Sequence, residues 1–374
     1  MSGFLPFARP EIDEETISAA AEVLRSGWIT SGPQVQRFES ELSGYFGGRP
    51  VRAFAHATAA LEAAVRLAGI GAGDEVIVPA MTFVATANVV SLAGARPVLV
   101  DVDLDSRNTD AARMEAAITP RTKALMPVHF AGRPVDLEPV YALARRRGLR
   151  VIEDAAHAMG AVYRARRIGA QGDLVAFSFH PNKNITTIEG GALSFADPAE
   201  VERAEQLRFH GIRRLPGGAM DVLEHAGKSN LPDVSARIGI AQLGRLEGFN
   251  ARRTALAQRY FEKLGGIAGV RLPAPPCAGH AWHLFAPLVD FAAARTSRPE
   301  FIQAMHAQGI GVGVHYPAMH LFNAFRRLGY REGDFPNAET IGARTVSLPL
   351  FSQMRDGDVD RACEALRHAL RGTR

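Results

Sequence analysis

The sequence predicts an α/β protein built on a mostly parallel, helix-covered sheet of seven strands. Between about residues 50 and 195, short apolar runs alternate with helical patterns, which is the signature of a sheet covered by crossover helices. The runs are VRAFA, EVIVP, RPVLVD, KALMPV, RVIED, LVAFSF and GALSF. Their near-continuous apolar character marks strands buried on both faces. Between them, segments such as 59–68 and 136–147 carry apolar residues at three-to-four spacing and end near glycines, as helices do.

The remaining elements follow in order. A helix over 11–24 and the turn SGWITSGP precede the sheet and are expected to pack on a second domain or a partner subunit. Beyond Pro232 a long helical pattern runs through QLGRLEGFNARRTALAQRYFEKL, then a proline-rich turn, LPAPPC, and two further expected strands, WHLFAPLVD and GIGVGVHY. This break divides the chain into a large domain over 1–250 and a smaller α/β domain over 251–374. The string GIGAGDE at 69–75 follows a helix and precedes a strand, the reverse of a dinucleotide fingerprint, so it reads as a turn and disfavours an NAD-dependent oxidoreductase. There is no internal repeat.

Bulk properties narrow the function. At 374 residues, 47% hydrophobic and 22% charged, the chain can bury a core around a deep site. Its net charge of +4, from 43 basic and 39 acidic residues, shows no block longer than Arg145-Arg146-Arg147. Nucleic-acid binding is therefore not expected, whereas an anionic small substrate suits the balance. Cys277 and Cys363 lack CxxC spacing, so neither a disulfide framework nor a thiolate metal site is indicated. With no basic leader and no apolar run of about 20 residues, a cytoplasmic location away from membranes is expected.

In an open α/β sheet, ligands sit outside the carboxyl ends of the strands. After VRAFA come Ala57 and Thr58 at a helix start, where free N–H groups and the dipole favour a phosphate, although Thr58 could equally be an N-cap. After RVIE comes Asp154. A carboxylate at the end of an apolar strand needs a cationic partner, and a protonated pyridinium nitrogen would serve. Capping the following segment is the plainer alternative. His157 could lie beside the same ring or simply pack. After LVAFSF comes Lys183 in His180-Pro181-Asn182-Lys183. A lysine held inside a cleft loses its proton more readily, as both a Schiff-base amine and a proton-shuttling base require. Ser178 just before it suits a phosphate oxygen. Asp154, Ser178, Lys183 and the 57–58 turn together specify pyridoxal 5'-phosphate (PLP), an electron sink with a phosphate anchor. His315 and His320 flank Tyr316 in GVHYPAMHL without a carboxylate at helical spacing, so no metal is expected there.

These stretches resemble the DegT/DnrJ/EryC1/StrS family, PLP-dependent aminotransferases acting on nucleotide-linked keto sugars. The likeness runs through SGWITSGP, GDEVIVPAMTFVATAN, PVHFAGRPVDL, VIEDAAHAMG, FSFHPNKNITTIEGG, RFHGIRR, HAWHLF, GVGVHYPAMHL and SLPLF, covering nearly the whole chain. It implies a fold type I transferase, a homodimer with shared active sites, and PLP attached to Lys183. Asp154 then pairs with the pyridinium nitrogen, His157 lies beside the ring's phenolic oxygen, and Phe83 stacks on the ring. Ala57, Thr58 and Ser178 contact the phosphate, and Asn230 reaches the phosphate bound by the neighbouring subunit. Trp28, His315, Tyr316 and His320 are the candidate substrate residues.

The implied reaction moves an amino group from L-glutamate, releasing 2-oxoglutarate, to a 4-keto sugar used in lipopolysaccharide or another surface glycan. LPFARP, SGWITSGP, EDAAHAMG and HAWHLF are most similar to the enzyme that aminates UDP-linked 4-keto-arabinose in lipid A modification. AMTF, TTIEGG and the 210–230 stretch depart from it. TTIEGG and HYPAMHL are similar to enzymes aminating C4 of 6-deoxy-4-keto-hexoses. Lys183 argues against sugar dehydratases of the same fold, which resemble this family with histidine in its place. A C3 aminotransferase and a non-catalytic sugar sensor are the alternatives.

Overall fold

The computed structural model describes residues 3–371. The seven apolar runs become β1 (Val51–Phe54), β2 (Glu75–Pro79), β3 (Arg96–Val100), β4 (Thr122–Leu125), β5 (Arg150–Asp154), β8 (Leu174–Ser178) and β9 (Gly191–Phe195), with a two-residue pair, β6 (Val162–Tyr163) and β7 (Arg166–Arg167), outside the sheet. The sheet order is β1-β9-β8-β5-β4-β2-β3. All neighbours are parallel except β9, which runs antiparallel to both β8 and β1. The reversal has a simple cause. Parallel neighbours need a long crossover, and the link 179–190 contains no helix, so the chain returns beside β8 in the opposite sense.

Period-two alternation sends each strand's side chains to two cores. Val76, Val78, Ile152, Leu174 and Leu193 pack beneath α3 (Ala57–Leu67) and α4 (Ala85–Leu92). Ile77, Leu125, Val151, Val175 and Phe177 face the other way. They meet Phe38 and Leu42 of α2 (Pro33–Tyr45), Val140 and Leu143 of α6 (Leu137–Arg147), and Leu246 of α8 (Asp233–Leu264). α5 (Ala111–Ala116) and α7 (Glu200–Arg208) complete the cover. The amino-terminal helix, expected over 11–24, is α1 (Glu14–Ser26), capped by Asp13 and packed on α8. The 69–75 string is a turn, closed by Gly71 N–H donating to Asp74.

α8 continues through Leu256, Tyr260 and Leu264 into a third core with Leu5, Trp282, Phe285, Phe301 of α9 (Arg298–Ala307) and Leu366 of α12 (Asp356–Leu370). The expected division at 250/251 therefore falls inside a single helix. WHLFAPLVD shortens to β13 (Leu288–Val289), paired with β12 (Val270–Arg271). GIGVGVHY is no strand: it makes only single bridges, Ile310 with Leu5 and Gly313 with Ser347. Its glycines let Leu5 and Phe7 approach the backbone at Gly311 where a side chain would collide. β10 (Ile212–Arg214) and β11 (Met220–Val222) form an exposed hairpin, and α10 (Asn323–Arg326) and α11 (Pro336–Arg344) complete the chain.

Asp233 ties two of these helices together. It heads α8, is fully buried, and accepts the N–H groups of Gly32, Gln34 and Val35 at 2.7, 3.1 and 3.1 Å. Those are the orphan donors at the start of α2, whose own N-cap, Gly32, has no side chain to serve them. Asp233→Ala should cost about 3 kcal/mol in denaturant unfolding, since three charge-assisted bonds go at once; a loss below about 1 kcal/mol would refute the assignment.

Candidate active site

β5 and β8 are parallel neighbours, so Asp154 and Ser178, the last residue of each, end at the same carboxyl edge of the sheet. The link to β9 then folds over that edge. Phe179 N–H donates to Gly190 C=O, Thr187 N–H returns to Phe179 C=O, and Lys183 N–H donates to His180 C=O. Lys183 is thereby turned into a cavity of about 290 Å³ that also holds Ala57, Thr58, Phe83, Asp154, His157, Ser178, His315 and Tyr316.

The amino end of α3 forms one wall. His56, not Thr58, is its cap: His56 Nδ1 accepts the Ala59 N–H at 3.0 Å. Ala57 and Thr58 are first-turn residues, whose amides have no intrahelical acceptor, so the positive end of α3 faces the cavity. Gly191 permits this approach, because a Cβ there would lie 2.5 Å from Ala57 N.

Asp154 is buried, with Oδ2 accepting from Thr86 Oγ1 at 2.7 Å and Oδ1 from Ala156 N–H at 3.1 Å. Thr86 lies 2.9 Å from the Thr82 hydroxyl, so Thr82 can donate to Thr86 while Thr86 donates to the carboxylate. Burial lowers the Lys183 amine to about 8, against the opposing attraction of Asp154.

Three imidazoles gather on the other side: His157 and His315 line the cavity, and His283 packs against His157. His157 Nδ1 accepts the Ala131 N–H at 3.2 Å, so its Nε2 carries the proton and donates to Tyr316 Oη at 3.1 Å. Burial, then the nearby Lys183 and His315, hold His157 well below its ordinary value. His315 falls to about 4 through burial and Lys183, and its Nδ1 lies 2.8 Å from Ser347 Oγ. His283, 4.4 Å from His157 ring to ring, is likewise held neutral, first by burial. Tyr316 stays protonated, pushed up by burial and then by the charge of Asp154. Because its oxygen accepts from His157, its own proton is free to point elsewhere.

Phe83 stands at the mouth, 55% exposed, with its ring 5.8 Å from Tyr316. The remaining sequence candidates lie elsewhere in this chain. His320 is fully buried against Glu339 at 2.8 Å and Phe335, outside the cavity. Trp28 is exposed and covers Gly32. Asn230 donates to Ser31 Oγ at 2.6 Å beside a separate surface groove. Thr82, Thr86 and His283 were not singled out by sequence; Thr86 lay within the quoted VPAMTFVATAN stretch, but nothing local showed that it meets Asp154. Among the described residues, no group of three or more His, Cys, Asp or Glu could hold a metal, and no helix is long and apolar enough to cross a membrane.

The model of the DegT/DnrJ/EryC1/StrS aminotransferase family matches residues 10–367. The chain belongs to that family. Among solved structures it is similar to S. venezuelae DesV, with a TM-score of 0.90, 36% identity and full coverage of both chains. The putative sugar aminotransferase Spr1654 from Streptococcus pneumoniae, solved in PLP and PMP forms, gives a TM-score of 0.92 at 31% identity in its PMP form, covering 98% of each chain. Helicobacter pylori PseC, an aminotransferase of pseudoaminic acid biosynthesis, gives 0.92 at 25% identity, covering 98% of this chain and 99% of its own. The fold is that of the type I PLP aminotransferases, and this aminotransferase is a PLP-dependent enzyme acting on sugars. The likeness to the UDP-4-keto-arabinose enzyme in particular is not carried by these relatives.

The residues present fit PLP. A helix amino end and Ser178 suit its phosphate, Asp154 suits the ring nitrogen, and Lys183 suits the aldehyde. When bound, PLP supplies an electron sink for a carbanion beside the transferred nitrogen.

Two outcomes follow for this aminotransferase. If Lys183 is the amine that captures PLP, it attacks in its free-base form, so the rate of PLP capture by the apo-enzyme, followed by visible absorbance, should rise about tenfold per pH unit below 8 and level off above it. A flat profile between pH 6 and 9 would sink this. Thr86→Val should lower kcat/KM about tenfold, the worth of one hydrogen bond to a carboxylate, while leaving the PLP content near wild type.

Proposed function

We propose that this chain transfers the amino group of L-glutamate to a nucleotide-linked 4-keto sugar, in the cytoplasm, for a surface glycan such as lipopolysaccharide. The observation that carries this reading is the single cavity joining Lys183, Asp154 and the amino end of α3 on one side to His315 and Tyr316 on the other. Lys183 Nζ takes the α-proton of glutamate and, in the second half-reaction, delivers a proton to the sugar carbon. Asp154 holds the proton on the ring nitrogen, with its geometry fixed by Thr86. Tyr316 Oη, oriented by His157, offers its proton toward the substrate.

The nucleotide linkage is supported by exposed cations on the hairpin segment: Arg213, Arg214 and Lys228 line a groove of about 1020 Å³ with Asn230. Diphosphates are recognised by such groups. Position 4 rests on the similarity of TTIEGG and HYPAMHL to C4-aminating enzymes.

A homodimer with shared sites is part of the proposal. Ile17, Leu24, Trp28, Ile29, Met220 and Val222 are exposed apolar side chains, and Asn230 lies outside the cavity of its own chain. In a dimer, Trp28 and Asn230 would serve the partner's site.

A panel of UDP-, GDP- and dTDP-linked 3-keto and 4-keto sugars with glutamate decides the matter, read by product mass and NMR. The expected result is a 4-amino sugar and one equivalent of 2-oxoglutarate, both absent with Lys183→Ala. Amination only at C3, or binding without turnover, would reject the assignment in favour of a C3 enzyme or a sensor.

A further inference from the structure

Buried guanidinium groups are normally served by carboxylates or carbonyls. Arg253 obeys this through one end of its fork: Nη1 donates to the carbonyls of Trp282, His283 and Leu350, although its Nε has no acceptor. Arg107 does not. It is 3% exposed, its Nε has no acceptor, and no side-chain hydrogen bond or ion pair among the described residues engages its guanidinium. Burial lowers it only to about 10, with Asp105 opposing and Arg271 adding to the fall, so it is a cation at neutral pH. The Asp105 carboxylate is already bound by Arg271.

The backbone directs this side chain inward. Asp103 Oδ1 gathers the N–H groups of Asp105 and Ser106 at 3.1 and 2.7 Å and the Ser106 hydroxyl at 2.9 Å. The turn so formed holds Arg107 at φ 61°, an unfavourable region for an L-residue. Its guanidinium then lies 5.9 Å from the centroid of the Phe130 ring. Beside it is a cavity of about 20 Å³, also lined by Ser106, Arg133, His280 and Trp282 and by Asp105, whose carboxylate is bound by Arg271. Such a volume admits one or two waters or a single small ion, and excludes a phosphate.

Arg133 adds a second cation, with Nη1 on the Pro275 carbonyl. His280 is held neutral at about 3, mainly by burial. Its Nε2 donates to Ala131 C=O at 3.2 Å, leaving Nδ1 as an unpartnered acceptor suited to an accompanying water.

We propose that this cavity is a binding site for a small monovalent anion of the halide class, chloride in the cell, held by Arg107 with Arg133 as a second positive neighbour. It lies one aromatic ring behind the catalytic cavity, because Phe130 sits edge-on to both His157, at 5.9 Å, and Tyr316, at 6.2 Å.

The test uses the PLP-loaded protein. Crystals soaked in sodium bromide, measured at the bromine edge, should show an anomalous peak within about 4 Å of the Arg107 guanidinium. In solution, Tm should rise about 2 °C more in about 100 mM chloride than in gluconate of equal ionic strength, and R107Q should erase that difference. An ordered water without anomalous signal, Arg107 swung onto Asp105, or a bromide peak without the chloride-specific shift would each overturn the proposal. So would an undiminished chloride response in R107Q. The bromide measurement needs no variant, so it decides even if R107Q fails to fold.

Discussion

Taking an ammonium group out of water is costly, and a protein usually avoids the cost by discharging the amine or pairing it. Lys183 does both in part: burial brings its amine to about 8, while Asp154 across the cavity still attracts the charged form. The rest of the site is compatible with this balance. A charged imidazole beside Lys183 would add repulsion, and His157, His283 and His315 are all held neutral by burial and by the lysine itself. Among these four buried groups the positive charge is thus concentrated on the Lys183 amine.

That concentration depends on architecture more than on any single side chain. Two parallel strands bring Asp154 and Ser178 to one edge, and the reversed strand β9 folds the lysine loop over it. A helical crossover in place of the 179–190 link would have carried Lys183 across a face of the sheet. α3 can then turn its amino end inward because Gly191 leaves room for the backbone of Ala57.

Much of this was legible in the sequence. All seven sheet strands announced themselves, because strands buried on both faces must be apolar throughout. Lys183, Asp154, Ser178, Ala57, Thr58, Phe83, His157, His315 and Tyr316 do converge on one cavity. The reversal of β9 was not legible, since an antiparallel strand in the middle of a sheet carries the same apolar run as its parallel neighbours. Nor was Thr86, whose hydroxyl is one of two in α4 until β5 is laid beside it. His320 misled because motif proximity to Tyr316 does not fix direction, and its ring turns to Glu339. GIGVGVHY looked like a strand by composition, yet its glycines serve close backbone approach.

The length of α8 has a mechanical meaning. One uninterrupted helix from Asp233 to Leu264 passes from the core under the sheet into the carboxyl-terminal core. A hinge needs a few residues that can absorb a change in backbone angles, and a helix packed along its length offers none without breaking. Tyr316, contributed from beyond that helix, is also hydrogen-bonded to His157 at the sheet edge. The two halves of the cleft are therefore braced like members of one frame. Discrimination among sugars then falls to the shape of a standing opening and to the side chains at its rim.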